Sequence, residues 1–286
     1  LALRPGAARG LSAEQSTALH AYWDNGGAEN FRRLFAYIRT GLFGLSGRIE
    51  PAIVLPENGL YHPEAPDRVF ASLADYEGWR PIPEEARVVG IGIHRQDIAN
   101  GSLEDIDALI AALEARGAVP LVYFDGNATD GVTGLLARNG RILPDILATF
   151  TGMYASIEPE RKWLAAVDRP LVQVMRWTTG YVDEWYGDNE GYPMWRMGVF
   201  YHFAEMSGRI DQTTLSARRR SDERMVAIPE QLDALADRLM RYAALRHTPN
   251  GEKKVAVFVW NSPEGEDNFS ASYLNVPRSV VELADA

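Results

Sequence analysis

The 286-residue sequence predicts an α/β fold: a doubly wound parallel sheet, preceded by a helical segment and followed by the start of a second α/β lobe. Three observations carry this expectation. Between Val88 and Met175, short apolar runs of strand length alternate with stretches of helical period. The first 50 residues show helical signals only. Near the end, a strand-like run, a polar loop and a helix start follow one long helix. The expected organisation is a helical lead-in over 1–50, an α/β lobe over 51–222, and a long helix with the first unit of a truncated lobe over 223–286.

The elements follow in chain order. Ser12 is placed to cap a helix, with Gln15 in capping-box position. After Asn25-Gly26-Gly27, Phe31, Leu34, Phe35 and Ile38 repeat near the helical period, and Gly41 and Gly44 end the run. Six prolines punctuate 51–87, where Ala52–Leu55 reads as a strand and 69–76 as a short helix. Val88–Ile93 is a buried strand, and 103–117 an amphipathic helix with Ile106, Leu109, Ile110 and Leu113 on one face. Strands follow at 118–124, 145–150 and 170–175, with a helix at 159–167. A fifth strand is expected at Met197–Phe203. Right-handed crossovers then give a parallel, flavodoxin-like sheet. Residues 223–247 form a long helix, 253–260 a further strand, and a new helix begins after Pro277.

Composition removes several function classes. Twenty-nine Lys and Arg against 39 Asp and Glu leave a charge of −10, which opposes nonspecific nucleic-acid binding. With no cysteine there is no disulfide, thiolate metal site or cysteine nucleophile. No apolar run approaches the roughly 20 residues of a membrane helix. The five histidines never fall in zinc-enzyme spacing, and neither a Walker A loop nor a Gly-x-Ser-x-Gly elbow is present. Any nucleotide hydrolysis therefore belongs to another subunit.

Several stretches carry candidate chemistry. Gly90 and Gly92 lack the third glycine of a dinucleotide loop, and read as close-packing positions in the sheet. His62, between Tyr61 and Pro63, is either a preorganised imidazole or part of a rigid loop. His94 and Arg95 follow a strand, where open α/β sheets bind ligands, or else they begin a capping loop. Residues 201–211 gather His202, Glu205, Arg209 and Asp211; on a strand, His202 and Glu205 would face opposite sides. Asn261 to Ser270 form a polar strand-to-helix loop, a ligand-binding loop or a solvated turn.

The segments 22–38, 59–79, 88–124, 228–250 and 252–279 together resemble the cobaltochelatase large subunit (CobN) family and, more distantly, the H subunit of magnesium chelatase. The resemblance spans essentially the whole chain and implies a portion of a much longer, cytoplasmic, tetrapyrrole-binding subunit. It implies Co²⁺ as substrate metal, entering hydrogenobyrinic acid a,c-diamide, with ATP and Mg²⁺ on separate AAA+ subunits. It also implies that the isolated piece is inactive. Magnesium insertion or haem dechelation are alternatives within that class, and a noncatalytic α/β binding module or scaffold is an alternative outside it. Where relatives read Pro-Glu-Leu-Asp-Gly, this chain has Ala204-Glu205-Met206-Ser207-Gly208, which keeps the Glu and loses the Asp. Where many read Asn-x-Pro-Pro, it has Asn261-Ser262-Pro263-Glu264. On this basis Glu205 and His62 are expected to be catalytic, His94, Arg95, Asn261 and Asn268 to bind substrate, and His202 to handle metal.

Overall fold

The computed structural model describes residues 10–125, 129–152, 157–259 and 274–285. The lead-in forms as its pattern predicts. Ser12 Oγ accepts the Gln15 N–H at 3.1 Å and Gln15 Oε1 accepts the Ser12 N–H at 2.8 Å, so two donors at the start of α1 (Ala13–Asn25) are satisfied reciprocally. Helix α2 (Gly27–Tyr37) follows, and a π-helical turn (Ile38–Leu42) ends it. Gly27 has φ +83°, and a side chain there would strike the carbonyl of Ala99.

Ala52–Leu55 is not a strand. Side chains of the lead-in bind this stretch instead: Asn30 Nδ2 donates to Ile53 O at 2.8 Å, Ile53 N–H returns a bond to Asn30 Oδ1 at 2.8 Å, and Leu55 N–H reaches Asn25 Oδ1 at 3.2 Å. Pro51 and Pro56 also remove ladder donors at both ends. The first strand is β1 (Asn58–Tyr61), followed by β2 (Val69–Phe70) and α3 (Leu73–Trp79).

The central elements alternate: β3 (Arg87–His94), α4 (Arg95–Asn100), α5 (Glu104–Glu114), β4 (Ala118–Asp125) and α6 (Thr129–Leu136). A small hairpin, β5 (Ala137–Arg138) with β6 (Arg141–Ile142), precedes β7 (Ile146–Thr149), α7 (Ile157–Val167) and β8 (Leu171–Tyr181). The main sheet runs β10-β9-β8-β7-β3-β4-β1-β2, where β9 is Arg209–Arg218 and β10 is Met225–Ala227. Strands β4, β3, β7, β8 and β9 are parallel neighbours. Counted in chain order they stand 2-1-3-4-5, the flavodoxin-like arrangement. Strands β1, β2 and β10 add antiparallel edges.

Residues 197–203 do not supply the fifth strand. They lie in a helical run of α8 (Val182–Trp185), α9 (Met194–Met197), a π-turn (Gly198–His202) and α10 (Phe203–Ser207). The fifth parallel strand is β9, a run rich in threonine and serine whose hydroxyls take up buried positions at Thr213, Thr214 and Ser216.

Strand alternation gives the sheet two apolar faces. Val89, Ile91 and Ile93 pack with α5 and with Leu235, Leu239 and Ala243 of α11 (Pro229–His247). Val88, Leu121, Leu147 and Leu171 pack with α3, α6 and α7 on the other side. Gly90 and Gly92 belong to this second face; a Cβ at Gly90 would lie 2.5 Å from Leu147 Cδ2, so the glycines are close-packing positions.

The chain divides into two compact units, Leu1–Ala244 and Leu245–Ala286. The division falls inside α11, and Leu235, Ala236, Leu239 and Ala243 are fully buried in the core of the first unit. In the second unit, 253–259 form no strand, and Val255 and Phe258 are exposed. The helix expected after Pro277 is α12 (Val276–Asp285).

Candidate functional site

The winding direction of the sheet reverses between β3 and β7, since β4 lies to one side and β8 and β9 to the other. The crevice outside the carboxyl ends of such a strand pair is where doubly wound sheets bind ligands. Here those ends are Ile93-His94 and Thr149-Phe150. Thr149 is level with Gln173, so the rest of β8 runs past the end of β7 and forms a wall.

That wall carries Arg176. It continues the face of Val172 and Val174, both fully buried. Its Nε and Nη2 donate to Asp105 Oδ2 and Oδ1 at 2.7 and 3.0 Å, and its Nη1 donates to Asp97 Oδ1 at 2.6 Å. Asp105 is fully buried and also accepts from Ser216 Oγ at 2.7 Å and the Ile106 N–H at 3.0 Å. Burial works against the charge of Arg176, but Asp105 and Asp97 outweigh it and hold the guanidinium firmly protonated. Asp97 accepts the His94 N–H at 3.1 Å as well, so the start of α4 is fixed to this cluster.

A second buried pair lies toward the α7 side. Arg209 Nε and Nη2 donate to Glu160 Oε1 and Oε2 at 2.5 and 2.8 Å, and Ser207 Oγ donates to Glu160 Oε1 at 3.2 Å. Arg209 Nη1 also donates to the Thr151 carbonyl and to Gln173 Oε1. Gln173 Nε2 bonds the Thr149 and Thr151 carbonyls at 3.1 and 3.3 Å. The turn after β7 is thereby tied to the side chain of Arg209 at the start of β9.

His94 is exposed at the end of β3. Protein packed around the ring disfavours its charged form; Asp97 opposes this, while Arg176 and Arg209 add to it, and the imidazole sits below its ordinary range. Arg95, its neighbour, points elsewhere. Its Nε donates to Pro56 O at 2.9 Å, and its Nη2 to Asn25 Oδ1 and Leu55 O at 2.9 and 2.7 Å. It straps the lead-in to the sheet.

Glu205 and His202 are exposed, and on their helical run the three-residue spacing puts them at neighbouring surface positions rather than on opposite sides. Met194, Trp195 and Met206 are also exposed on this run, and Arg196 Nη1 anchors it to the Arg176 carbonyl at 3.0 Å.

His62 is not brought to this site. Tyr61 pairs with Val122, so His62 lies toward the amino-terminal half of β4, whereas His94 pairs with Asp125 at the carboxyl end. The His62 ring is 0% exposed and packs 4.9 Å from Trp79. Nδ1 accepts the Glu64 N–H at 3.3 Å, which leaves an Nε2–H to donate to Glu114 Oε1 at 3.2 Å. This assignment of the ring proton satisfies both nitrogens. Arg80 bridges Glu114 and Glu64. Burial is the main cause holding the imidazole below its ordinary range; Glu114 opposes it and Arg80 reinforces it. Asn261 and Asn268 lie outside the described residues. Among the described residues no group of three or more His, Asp or Glu forms a metal cage, and no helix is long and apolar enough to cross a membrane.

Sequence reasoning missed Asp97, Asp105, Glu160 and Arg176, and gave Arg209 no role of its own. Two of them left a signal. Asp105 stands four and eight residues before Leu109 and Leu113, on the buried stripe of α5. Arg176 extends the Val172, Val174 alternation. A charge on an apolar face requires a buried partner.

A model of the family CobN/Magnesium Chelatase matches residues 20–286. The chain is 23% identical over 289 residues to magnesium-chelatase subunit ChlH of Oryza sativa subsp. indica, covering 92% of this chain and 21% of that protein. It is 23% identical over 299 residues to the aerobic cobaltochelatase subunit CobN of a Sinorhizobium species, covering 96% and 23% respectively. The catalytic subunit of cobaltochelatase from Mycobacterium tuberculosis has the same fold across 85% of this chain and 20% of its own, with a TM-score of 0.61 and 19% identity. The chain therefore spans about a fifth to a quarter of the length of these relatives. With the family model matched from residue 20 to residue 286, this chain belongs to the CobN/magnesium chelatase family.

Proposed function

We propose that this chain is a portion of the tetrapyrrole-binding large subunit of an ATP-dependent metal chelatase, acting in the whole protein to insert Co²⁺ into hydrogenobyrinic acid a,c-diamide. The family match over residues 20–286 carries the reading. The crevice at the strand reversal supports it, because it is where this architecture receives a ligand. The exposed Met194, Trp195 and Met206 of the 194–207 helical run offer polarisable apolar contacts to a flat macrocycle.

Insertion requires loss of ring N–H protons, removal of water from the ion and bending of the macrocycle. In this reading Glu205 and His202, neighbours on one exposed helical surface, relay the metal, as a carboxylate and an imidazole do for a divalent ion. Asn261 and Asn268 recognise peripheral amides or carboxylates of the ring. His94 contacts substrate. Arg95 and His62, whose polar groups are committed to protein partners, support the site through the strap and the sheet edge. ATP and Mg²⁺ act on AAA+ partner subunits, and the complex is cytoplasmic. Magnesium is the second reading for the metal, because magnesium-chelatase and cobaltochelatase subunits match this chain at the same 23% identity.

The test is a titration of tryptophan fluorescence in the full-length subunit with a corrin precursor and with protoporphyrin, followed by insertion assays with Co²⁺ and Mg²⁺ in the presence of the ATPase subunits. The proposal expects quenching by the corrin precursor and Co²⁺-dependent turnover. Quenching by protoporphyrin with Mg²⁺ turnover moves the chain to the second reading, and no quenching by either overturns the tetrapyrrole assignment.

A further inference from the structure

We propose that His94 is the base that takes the macrocycle N–H protons as the metal enters, an inference that rests on the chelatase reading above. A ring-proton acceptor must reach the substrate, hold a free lone pair at neutral pH, and pass its proton to water. His94 meets these needs by position. It is the last residue of β3, exposed, at the strand reversal where ligand is expected. Its main chain is pinned, since its N–H is bonded to Asp97, and Asp97 is bonded to the buried Arg176. That chain of contacts fixes the backbone from which the imidazole projects at the carboxyl end of β3.

The other groups in the crevice are less suited. Asp97, Asp105 and Glu160 are buried, and their oxygens already accept arginine hydrogen bonds. Drawing a proton onto any of them breaks a charge pair. His62 is closed inside the Glu114–Arg80 cluster at the other end of the strands. The charged groups that act on His94 are Asp97 from α4, Arg176 from β8 and Arg209 from β9. The two arginines penalise imidazolium, so the ring rests neutral and is ready to accept. The same repulsion speeds proton release afterwards.

The step balances simply. The electron pair of each ring N–H that is lost stays on nitrogen and forms the bond to the divalent ion. The proton forms an N–H bond on the free nitrogen of His94, and the imidazolium gives it to solvent water before the next transfer. No oxidant or reductant is involved.

The experiment uses the full-length subunit with its ATPase partners, as wild type, His94→Gln and His94→Ala. Ring affinity is read by tryptophan quenching, and insertion by single-turnover kinetics across pH. The expected result is a fall in insertion rate of about 100-fold or more, the usual contribution of a positioned base, that far exceeds whatever ring affinity is lost with the His94 contact. The acid-side decline of the wild-type profile, where His94 becomes protonated, is absent from His94→Gln. Added imidazole restores part of the rate to His94→Ala and none to His94→Gln. An unchanged rate, an unchanged acid limb, or a loss of ring affinity equal to the loss of rate overturns the role of His94 while leaving the chelatase reading standing. If wild type itself shows no tetrapyrrole quenching, the chelatase reading fails and the inference fails with it.

Discussion

Replacing Asp105 by Asn tests whether the buried ion-pair cluster organises the crevice. Asp105 is fully buried and takes two of the three hydrogen bonds that Arg176 gives to carboxylates, together with bonds from Ser216 Oγ and the Ile106 N–H. The substitution keeps shape but removes the charge and turns one acceptor oxygen into a donor facing the guanidinium. Removing one partner of a buried pair costs about 3–5 kcal/mol, mostly because the remaining charge stays buried without compensation. Asp97 still accepts one bond from Arg176 at 2.6 Å, which places the cost near the lower end of that range. For a unit of this size 1 kcal/mol corresponds to about 2–4 °C, so the melting temperature falls by about 6–12 °C. The control is Asp233→Asn, which breaks the Arg116–Asp233 bridge, whose carboxylate is 73% exposed. Exposed bridges are worth about 0–1 kcal/mol, so that variant melts within about 2–4 °C of wild type. Thermal unfolding by circular dichroism, with urea midpoints at fixed ionic strength, separates the two. If Asp105→Asn melts within 2 °C of wild type, by the same scale of about 2–4 °C per kcal/mol, the cluster carries no structural weight and the argument for a pinned His94 is wrong.

Three further outcomes follow from the same geometry. Gly90→Ala puts a methyl 2.5 Å from Leu147 Cδ2 and destabilises by about 1–3 kcal/mol, seen as a lower urea midpoint; a neutral result shows that Leu147 and Pro144 have room to give. Because the His62 imidazole is held below its ordinary value of about 6.5, the unfolded chain binds more protons than the native one in acid. Stability is therefore complete above that pH and declines as pH drops through 6 toward the lowered native value; His62→Gln flattens this slope, and an unchanged slope removes His62 as its source. Arg95→Ala removes the three bonds to Asn25, Leu55 and Pro56, and limited proteolysis within 44–57 accelerates about tenfold or more, since charged hydrogen bonds contribute about 1.5–3 kcal/mol each. If Arg95→Ala instead weakens tetrapyrrole binding with the lead-in intact, the residue contacts substrate and the strap is incidental.

The parallel sheet was legible because its strands are buried on both faces and so read as continuous apolar runs, as 88–93 and 118–124 do. Strand β9 escaped notice because, Leu215 and Ala217 apart, its buried positions are hydroxyls and ion-paired Arg209, which look polar in sequence yet are satisfied by partners elsewhere in the chain. The aromatic run at 197–203 misled in the opposite direction. Its residues resemble a strand, but no neighbour offers a ladder, and the helical run satisfies the backbone locally. Ala52–Leu55 misled for a related reason: two asparagine side chains replaced a partner strand. At the site, His94 was legible from topology, because a residue closing the first strand of an alternating series stands at its carboxyl end. The ion pairs around it join residues 71 and 79 positions apart, Arg176 to Asp105 and to Asp97, and only the fold brings them together.

The lengths of the strands explain why the charges gather where they do. Strand β7 stops at Thr149, while β8 continues from Gln173 to Tyr181 and β9 from Arg209 to Arg218. Past that level β8 loses one neighbour, and its face toward α5 no longer has a complete apolar roof. An apolar side chain at 176 would leave Asp97 and Asp105 buried without a counter-charge, whereas an arginine spans from the core face to both carboxylates on α4 and α5. The pair thus closes the end of the core and, through Asp97, fixes the residue that ends β3. On the α7 side, Arg209 does the same for Thr151 and the start of β9. A crevice framed in this way has its buried charges already neutralised in pairs.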